Sequence, residues 1–236
     1  MNSIDPALRE DLVTANHILA REGVVDGFGH VSARAGPGHF ILARSMAPLL
    51  VTSDDILTFD LESAECTGDA RTPYLERFIH AEIYRARSDV HAIVHSHSPA
   101  TIPFGTVKAV RLQPIYHMSA FLGLGTPVFE IRDVGGHATD MLIRNRPLGE
   151  ALAQNLGESA LVLMRGHGVT VVGSTLRHAV FRAVYTELNA RVQTVAMGIG
   201  EVEYLNSAEA AAATTANDSQ IERAWDLWRL NVARRE

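Results

Sequence analysis

The residues best suited to chemistry are two histidines at the end of an apolar run, Val90 to His97. The run favours a β-strand, and side chains two residues apart on a strand lie on the same face. His95 and His97 would then project side by side, with Cα atoms roughly 6–7 Å apart at the rise per residue of a strand. Two imidazoles at that separation can bind one cation. Two surface histidines at a strand end would give the same pattern, so the pair alone does not define a metal site.

Among the eleven histidines, three others are candidates for a pocket: His30, His117 and His167. His30 follows the shaped turn Gly27-Phe28-Gly29, and His167 stands between two glycines at the junction of two apolar strands. His91 shares the strand face of His95 but would lie roughly 13 Å from it, too far to share a cation. The remaining histidines have no partner pattern and are interpreted as structural or solvated: His17, His39, His80, His137 and His178.

Composition limits the classes of protein to consider. A chain of 236 residues with 47% hydrophobic content predicts one large domain spanning residues 1–236. The net charge of −6 and the absence of a long basic run argue against a nucleic acid or an anionic membrane as partner. A single cysteine, Cys66, suits a reducing compartment. With no secretion-signal pattern and no uncharged apolar run of about 18 residues, we expect a soluble cytoplasmic protein.

Patterning predicts helices alternating with strands. The expected helices run from Asp5-Pro6 to near Gly23, from Thr72-Pro73 to Arg87, and over residues 140–144, 148–156, 175–197 and 221–232. The expected strands cover residues 30–34, 39–42, 56–61, 90–97, 107–112, 127–131, 160–164 and 169–172. Trp225 and Trp228, in the last helix, are interpreted as packing or subunit-contact residues.

Two further segments carry polar side chains, and each segment has both a functional and a structural interpretation. Arg44-Ser45 follows the 39–42 strand, and an arginine beside a hydroxyl suits a carboxylate or phosphate pocket, although a solvated arginine is the usual case. Glu76 and Arg77 fall in the first turn of the 73–87 helix, where a glutamate commonly complements the helix dipole.

The order Glu76, His95-Ser96-His97 and Gly166-His167-Gly168 resembles the class II aldolase and adducin family over nearly the whole chain. The resemblance implies that Glu76, His95, His97 and His167 bind one divalent metal per subunit, with Glu76 also moving protons. It implies Mn²⁺ or Zn²⁺, with Fe²⁺ or Co²⁺ as alternatives. It also implies an α/β fold, a three-layer α/β/α sandwich around a mainly antiparallel sheet, and a homotetramer with interfacial active sites, in which helix 221–232 could join the subunit contacts.

Departures from the family pattern bear on the substrate. Its phosphosugar aldolases hold phosphate with a Gly-Asn-x-Ser turn, a Thr-Gly loop and paired serines before the glutamate. Here the same positions read Gly29-His30-Val31-Ser32, Ser45-Met46 and Pro73-Tyr74-Leu75. Where the aldolases place an interfacial tyrosine proton donor, this chain has His117 beside Tyr116. The pattern is similar to the family's decarboxylase branch, which acts on hydroxypyridine and hydroxyphthalate dicarboxylates.

The resemblance therefore favours a metal-dependent lyase that decarboxylates a hydroxy-substituted aromatic or heteroaromatic dicarboxylate through a metal-stabilised enolate. Glu76 is the first candidate for proton transfer and His117 the second. The candidate substrate-binding residues are His30, Ser32, Arg44, Ser45, Arg77 and Tyr116. The alternatives are an aldolase or epimerase acting on a small non-phosphorylated carbonyl compound and a non-catalytic adducin-like scaffold, a class that loses the metal ligands.

Overall fold

A computed structural model of the chain describes residues 5–123 and 125–234, which are built around a seven-stranded sheet. The strands are β1 (His30–Arg34), β2 (His39–Ala43), β3 (Ile56–Asp60), β4 (Ala92–Ser96), β5 (Val128–Phe129), β6 (Leu161–Met164) and β7 (Gly168–Gly173). Their order is β3-β2-β1-β4-β7-β6-β5. All neighbouring strands are antiparallel except β5 and β6. The predicted mainly antiparallel sheet is confirmed.

Helices cover both faces of this sheet. They are α1 (Pro6–Arg21), α2 (Arg77–Ala86), α3 (Ile102–Thr106), α4 (Arg132–Gly135), α5 (Arg146–Leu156), α6 (Leu176–Ile199), α7 (Ser207–Asp218) and α8 (Ile221–Ala233). In β4, Ala92 and Val94 pack in the apolar cluster that includes α1, α6 and α8, whereas Ile93 packs in the cluster that includes α2 and α5. This alternation gives the α/β/α sandwich that the resemblance implied. None of the helices in the described ranges has the length and apolarity to cross a membrane.

The helix ends follow the sequence signals in most places. Asp5 caps α1 by accepting a hydrogen bond from the backbone N–H of Ala7, and Pro6 occupies the first turn. Trp225 and Trp228 on α8 are 1% and 8% exposed and pack in the cluster with α1 and α6, so they are core residues. The exposed apolar side chains of α8 are Leu227 and Leu230.

The predicted strand over residues 107–112 is wrong. This segment is irregular, and residues 111–115 are bonded to buried amide side chains of α6 instead of to a neighbouring strand. Gln193 accepts from the backbone N–H of Gln113 at 3.1 Å and donates to the carbonyl of Arg111 at 2.8 Å. Asn189 donates to the carbonyl of Gln113 at 2.8 Å. Side chains therefore satisfy backbone groups that a sheet would otherwise have to pair.

Two other departures concern residues 140–144 and the start of α2. Residues 140–144 form a loop instead of a helix, and Met141 adopts a positive φ of 73° within it. The helix predicted from Thr72-Pro73 begins only at Arg77, with Glu76 at the cap position. The Glu76 side chain makes no capping bond and instead accepts a hydrogen bond of 2.9 Å from the backbone N–H of Ile143. The two departures are linked, because the bond between Ile143 and Glu76 joins the 140–144 loop to the start of α2.

Glycine permits the closest approach between neighbouring segments near the end of β4. A Cβ atom on Gly168, the first residue of β7, would lie 2.0 Å from the carbonyl oxygen of Ser96. Gly29, just before β1, has a φ of +98°, and its Cβ would lie 3.0 Å from the carbonyl oxygen of His95. Side chains at either position would push these strands away from the His95–His97 segment.

Replacing Gly168 by alanine should therefore destabilise the protein. The methyl group would overlap the backbone of Ser96, a clash that we expect to cost about 1–3 kcal/mol in the free energy of unfolding. Urea denaturation measures this cost. Gly38→Ala is the matched control, because a Cβ at Gly38 meets no atom within 4 Å. Equal stability of the two variants would contradict the close approach of β7 to β4.

Candidate metal centre

The four ligands implied by the resemblance converge at one end of the sheet. Glu76, His95, His97 and His167 each offer one ligand atom, and these atoms all lie within 4.8 Å of one another. Oε2 of Glu76 is 3.6 Å from Nε2 of His95 and 3.5 Å from Nε2 of His167. The Nε2 atoms of His97 and His167 are 3.0 Å apart. Three imidazole nitrogens and one carboxylate oxygen form a donor set suited to a divalent first-row cation.

Three elements of the fold deliver these side chains. β4 carries His95 and ends at Ser96, with His97 immediately after it. β7 pairs with β4 and follows the turn that holds His167, so that turn lies beside the end of β4. The start of α2 adds Glu76 from the helical layer that the side chains of Ile93 and His95 face. The site therefore requires the sheet register and the helix position together.

The Nδ1 atoms of two of the histidines are engaged on the protein side. His95 Nδ1 lies 3.1 Å from the hydroxyl of Thr170, which is its cross-strand partner on β7. His167 Nδ1 lies 2.8 Å from the carbonyl oxygen of Met141, whose positive φ belongs to the loop that replaced the predicted helix. Contacts of this kind fix the orientation of a metal-binding imidazole and leave its Nε2 for the metal.

His95 provides the clearest indication that a cation fits. Its side chain is fully buried, and its Nε2 atom has no hydrogen-bond partner among the described residues. A buried polar atom without a partner costs about 1–3 kcal/mol, which a bound cation would offset. The orphaned nitrogen faces the carboxylate and imidazoles of the cluster, so the residues present fit a divalent metal.

The electrostatics of the cluster suit metal binding. Burial would raise the pKa of Glu76, but the hydrogen bond to His167 and the nearby His95 outweigh it and lower that pKa to about 2. Burial holds the pKa of His95 well below its ordinary value and also lowers the pKa of His97. Burial acts to lower the pKa of His167, but its interaction with ionised Glu76 prevails and raises it. The site thus presents an ionised carboxylate and two neutral imidazoles at neutral pH.

Of the predicted substrate-binding residues, His30 lies against the cluster. Its ring centroid is 5.0 Å from that of His95, its cross-strand partner in β4. Ser32 is fully buried and bonds to His80 and Tyr84 instead of facing the cluster. Ser45 is exposed, and its backbone N–H donates to the carbonyl of Thr72.

The two predicted arginines are already paired within the chain. Arg44 forms an ion pair of 2.6 Å with Asp55, and Arg77 forms one of 2.8 Å with Glu65. The Arg77 guanidinium also donates to the carbonyl of Ala64 at 2.8 Å. The structure brings neither guanidinium to the four ligands, and their binding of substrate stays a prediction.

His117 and Tyr116 lie apart from the cluster in the described part of the chain. His117 begins a 3₁₀ helix and is exposed, and its carbonyl accepts a hydrogen bond of 2.7 Å from Asn217 on α7. Tyr116 is partly buried, which raises the pKa of its hydroxyl to about 12. Among the described residues neither side chain contacts any of the four ligands, and their proposed roles stay predictions.

Sequence reasoning missed several residues around the cluster. His80, interpreted above as structural or solvated, is fully buried and lies one helical turn after Glu76, a spacing that places both on one face of α2. That spacing could have identified His80 from the sequence. No sequence signal identifies Thr170 or Met141. The contact of Thr170 with His95 depends on the β4–β7 register, and that of Met141 with His167 depends on a backbone conformation.

Replacing His95 by alanine should abolish metal retention, because it removes the buried nitrogen aimed at the cation. Elemental analysis of the purified protein measures the loss. His91→Ala is the matched control, since His91 is exposed and precedes the same strand. Thr170→Val should weaken metal affinity more mildly, about 10–100-fold. A His95→Ala variant that keeps one tightly bound metal per chain would show that the ligand set is wrong.

One family model and several known proteins match most of the chain. The model of the Class II Aldolase and Adducin N-terminal domain matches residues 10–194. The chain is 35% identical over 241 residues to the decarboxylase tropJ of Talaromyces stipitatus, covering 92% of this chain and 90% of that protein. It is 30% identical over 187 residues to a 3,4-dihydroxyphthalate decarboxylase of Arthrobacter keyseri, covering 75% of this chain and 73% of that protein.

Among solved structures, an aldolase II superfamily protein from Pseudomonas syringae superposes with a TM-score of 0.78 at 21% identity. The superposition covers 99% of this chain and 96% of that one. At this identity the likeness establishes the fold alone.

Proposed function

The chain belongs to the class II aldolase and adducin family, and on that premise we propose that it is a divalent-metal-dependent carboxy-lyase. The proposed substrate is a hydroxy-substituted aromatic or heteroaromatic dicarboxylate. The observation that carries the proposal is the buried cluster of one carboxylate and three imidazoles, which would hold Mn²⁺ or Zn²⁺. Similarity to decarboxylases, one of them named for a dihydroxyphthalate, supports decarboxylation over other C–C cleavage.

Aromatic rings beside the cluster support a planar substrate. The Phe28 ring is 68% exposed, and its centroid lies 6.3 Å from that of His97. The centroid of the Tyr74 ring lies 4.6 Å from that of His30, which itself borders His95. Aromatic faces pack well against flat rings. They replace the small amide-rich turn with which the family's sugar-phosphate enzymes hold phosphate.

Decarboxylation requires a place for the electrons of the broken C–C bond and a proton for the carbon left behind. A bound divalent cation would supply Lewis-acid stabilisation of the negative charge. Glu76 is ionised in the folded protein, so it can first accept the proton of the substrate hydroxyl. It would then deliver this proton to the ring carbon as CO₂ leaves, and the substrate oxygen would recover a proton from water.

Association into a homotetramer is part of the proposal. An exposed apolar stripe follows one side of α6, with residues spaced by four, three and four positions. The stripe consists of Leu188, Val192, Val195 and Ile199, which are 39%, 46%, 64% and 84% exposed. Contacts between copies of the chain would cover such a stripe. An adjoining subunit could also bring His117 to the metal centre as a second proton donor.

Release of CO₂ from a panel of hydroxybenzene and hydroxypyridine dicarboxylates tests the proposed activity. We expect release with one panel member or more when Mn²⁺ is present and none after chelation, because the charge left on the substrate then has no stabiliser. Retro-aldol cleavage of hydroxy acids, measured in parallel, tests the alternative. Retro-aldol activity without CO₂ release from any member would overturn the proposal.

Glu76→Gln serves as the variant for the proton-transfer step. The amide removes the exchangeable acid proton, so CO₂ release should fall about 10²–10⁴-fold. Metal content is measured beside activity to separate lost proton transfer from lost metal. Full activity of a metal-loaded Glu76→Gln variant would exclude Glu76 as the proton carrier.

A further inference from the structure

His30 is the first member of a buried chain of hydrogen bonds that runs away from the metal centre. His30 Nδ1 lies 2.6 Å from Nε2 of His80, and His80 Nδ1 lies 2.6 Å from the hydroxyl of Ser32. The Ser32 hydroxyl lies 2.8 Å from that of Tyr84. The four residues are at most 4% exposed. In such a chain each hydrogen bond has one donor and one acceptor. The direction of donation along the whole chain is set by the residue at its end, Tyr84.

The first donor in the chain is the hydroxyl of Tyr84. Burial raises the pKa of its hydroxyl, so the O–H keeps its proton at neutral pH. Among the described residues, Ser32 is the hydrogen-bond partner of this hydroxyl. A buried donor without an acceptor is unfavourable, so the Tyr84 O–H must donate to Ser32.

The same reasoning fixes the remaining protons. Ser32 has one proton, and His80 Nδ1 is its remaining partner, so Ser32 donates to that nitrogen. Burial lowers the pKa of His80 to about 3, so this ring is neutral. A neutral His80 that accepts at Nδ1 carries its proton on Nε2 and donates it to His30 Nδ1.

His30 accepts this bond at Nδ1, so its own proton must be on Nε2. Among the described residues this nitrogen has no hydrogen-bond partner, and it is not fully buried, so its N–H is free to bind a ligand. The centroid of the His30 ring lies 4.6 Å from that of Tyr74 and 5.0 Å from that of His95, a candidate metal ligand. The free N–H therefore belongs to a ring that borders the candidate metal centre.

We propose that His30 is a fixed hydrogen-bond donor for an ionised oxygen, carboxylate or phenolate, of the metal-bound substrate. Ser32, His80 and Tyr84 are positioning residues that lock its tautomer. The identity of this oxygen rests on the proposed function, whereas the tautomer rests on the hydrogen-bond chain alone. The donor would select substrates with an acidic oxygen next to the metal-binding oxygens, since a neutral sugar hydroxyl gains less from a donor than a charged oxygen does.

Neutron diffraction from deuterium-exchanged, Zn²⁺-loaded crystals tests the tautomer directly. The expected result is deuterium on Nε2 of both His30 and His80, with none on either Nδ1. Deuterium on Nδ1 of His30 would overturn the inference, whether or not the protein releases CO₂ from any substrate.

Calorimetric binding of 2-hydroxybenzoate to the Zn²⁺-loaded protein tests the donor role without requiring turnover. His30→Phe should weaken binding about tenfold or more, the loss expected for a hydrogen bond to a charged oxygen. His30→Gln should retain most of the affinity, because its amide can donate from a similar position. Equal affinity of both variants and the unaltered protein, or no binding by the unaltered protein, would overturn the assignment of the ligand. CO₂ release remains a separate readout for the proposed function.

Discussion

The rest of this structure depends on the cost of burying a carboxylate and three imidazoles in one small space. His95 is fully buried with an unpaired Nε2, and Glu76 is 6% exposed among histidines that hold its pKa near 2. Groups of this kind are stable in a protein interior only when they are paired or bind a metal. The sandwich fold supplies the geometry, because the end of β4, the turn before β7 and the start of α2 meet there.

Support for the cluster comes from the face of the sheet that α2 covers. Thr170 and the carbonyl of Met141 engage the Nδ1 atoms of His95 and His167, which leaves both Nε2 atoms for a cation. Helix α2 carries Glu76 and, one turn later, His80, so one helix face contributes both a ligand and a member of the hydrogen-bond chain behind His30. The candidate metal ligands and the proposed donor His30 are thus positioned by the same elements.

Much of the site follows from sequence because the signals are local. Strand parity places His95 and His97 together, and glycines on both sides of His167 predict a turn. Most strands and helices follow from patterns of two and 3.6 residues, whereas the mainly antiparallel sheet was implied by the family resemblance. What sequence reasoning missed depends on distant partners. The strand predicted over residues 107–112 is absent, and amides of α6 bond to the backbone of Arg111 and Gln113 instead. Arg44 and Arg77 pair with carboxylates that no spacing rule assigned. The 140–144 loop departs from a helix because Met141 and Ile143 bond to His167 and Glu76.

Anomalous X-ray diffraction at the absorption edge of the bound metal tests the central claim most directly. The account predicts one anomalous peak per chain, bonded to Glu76, His95, His97 and His167 at roughly 2.0–2.2 Å if the metal is zinc. A metal-supplemented crystal without a peak among these four residues, or with its metal held by others, would contradict it.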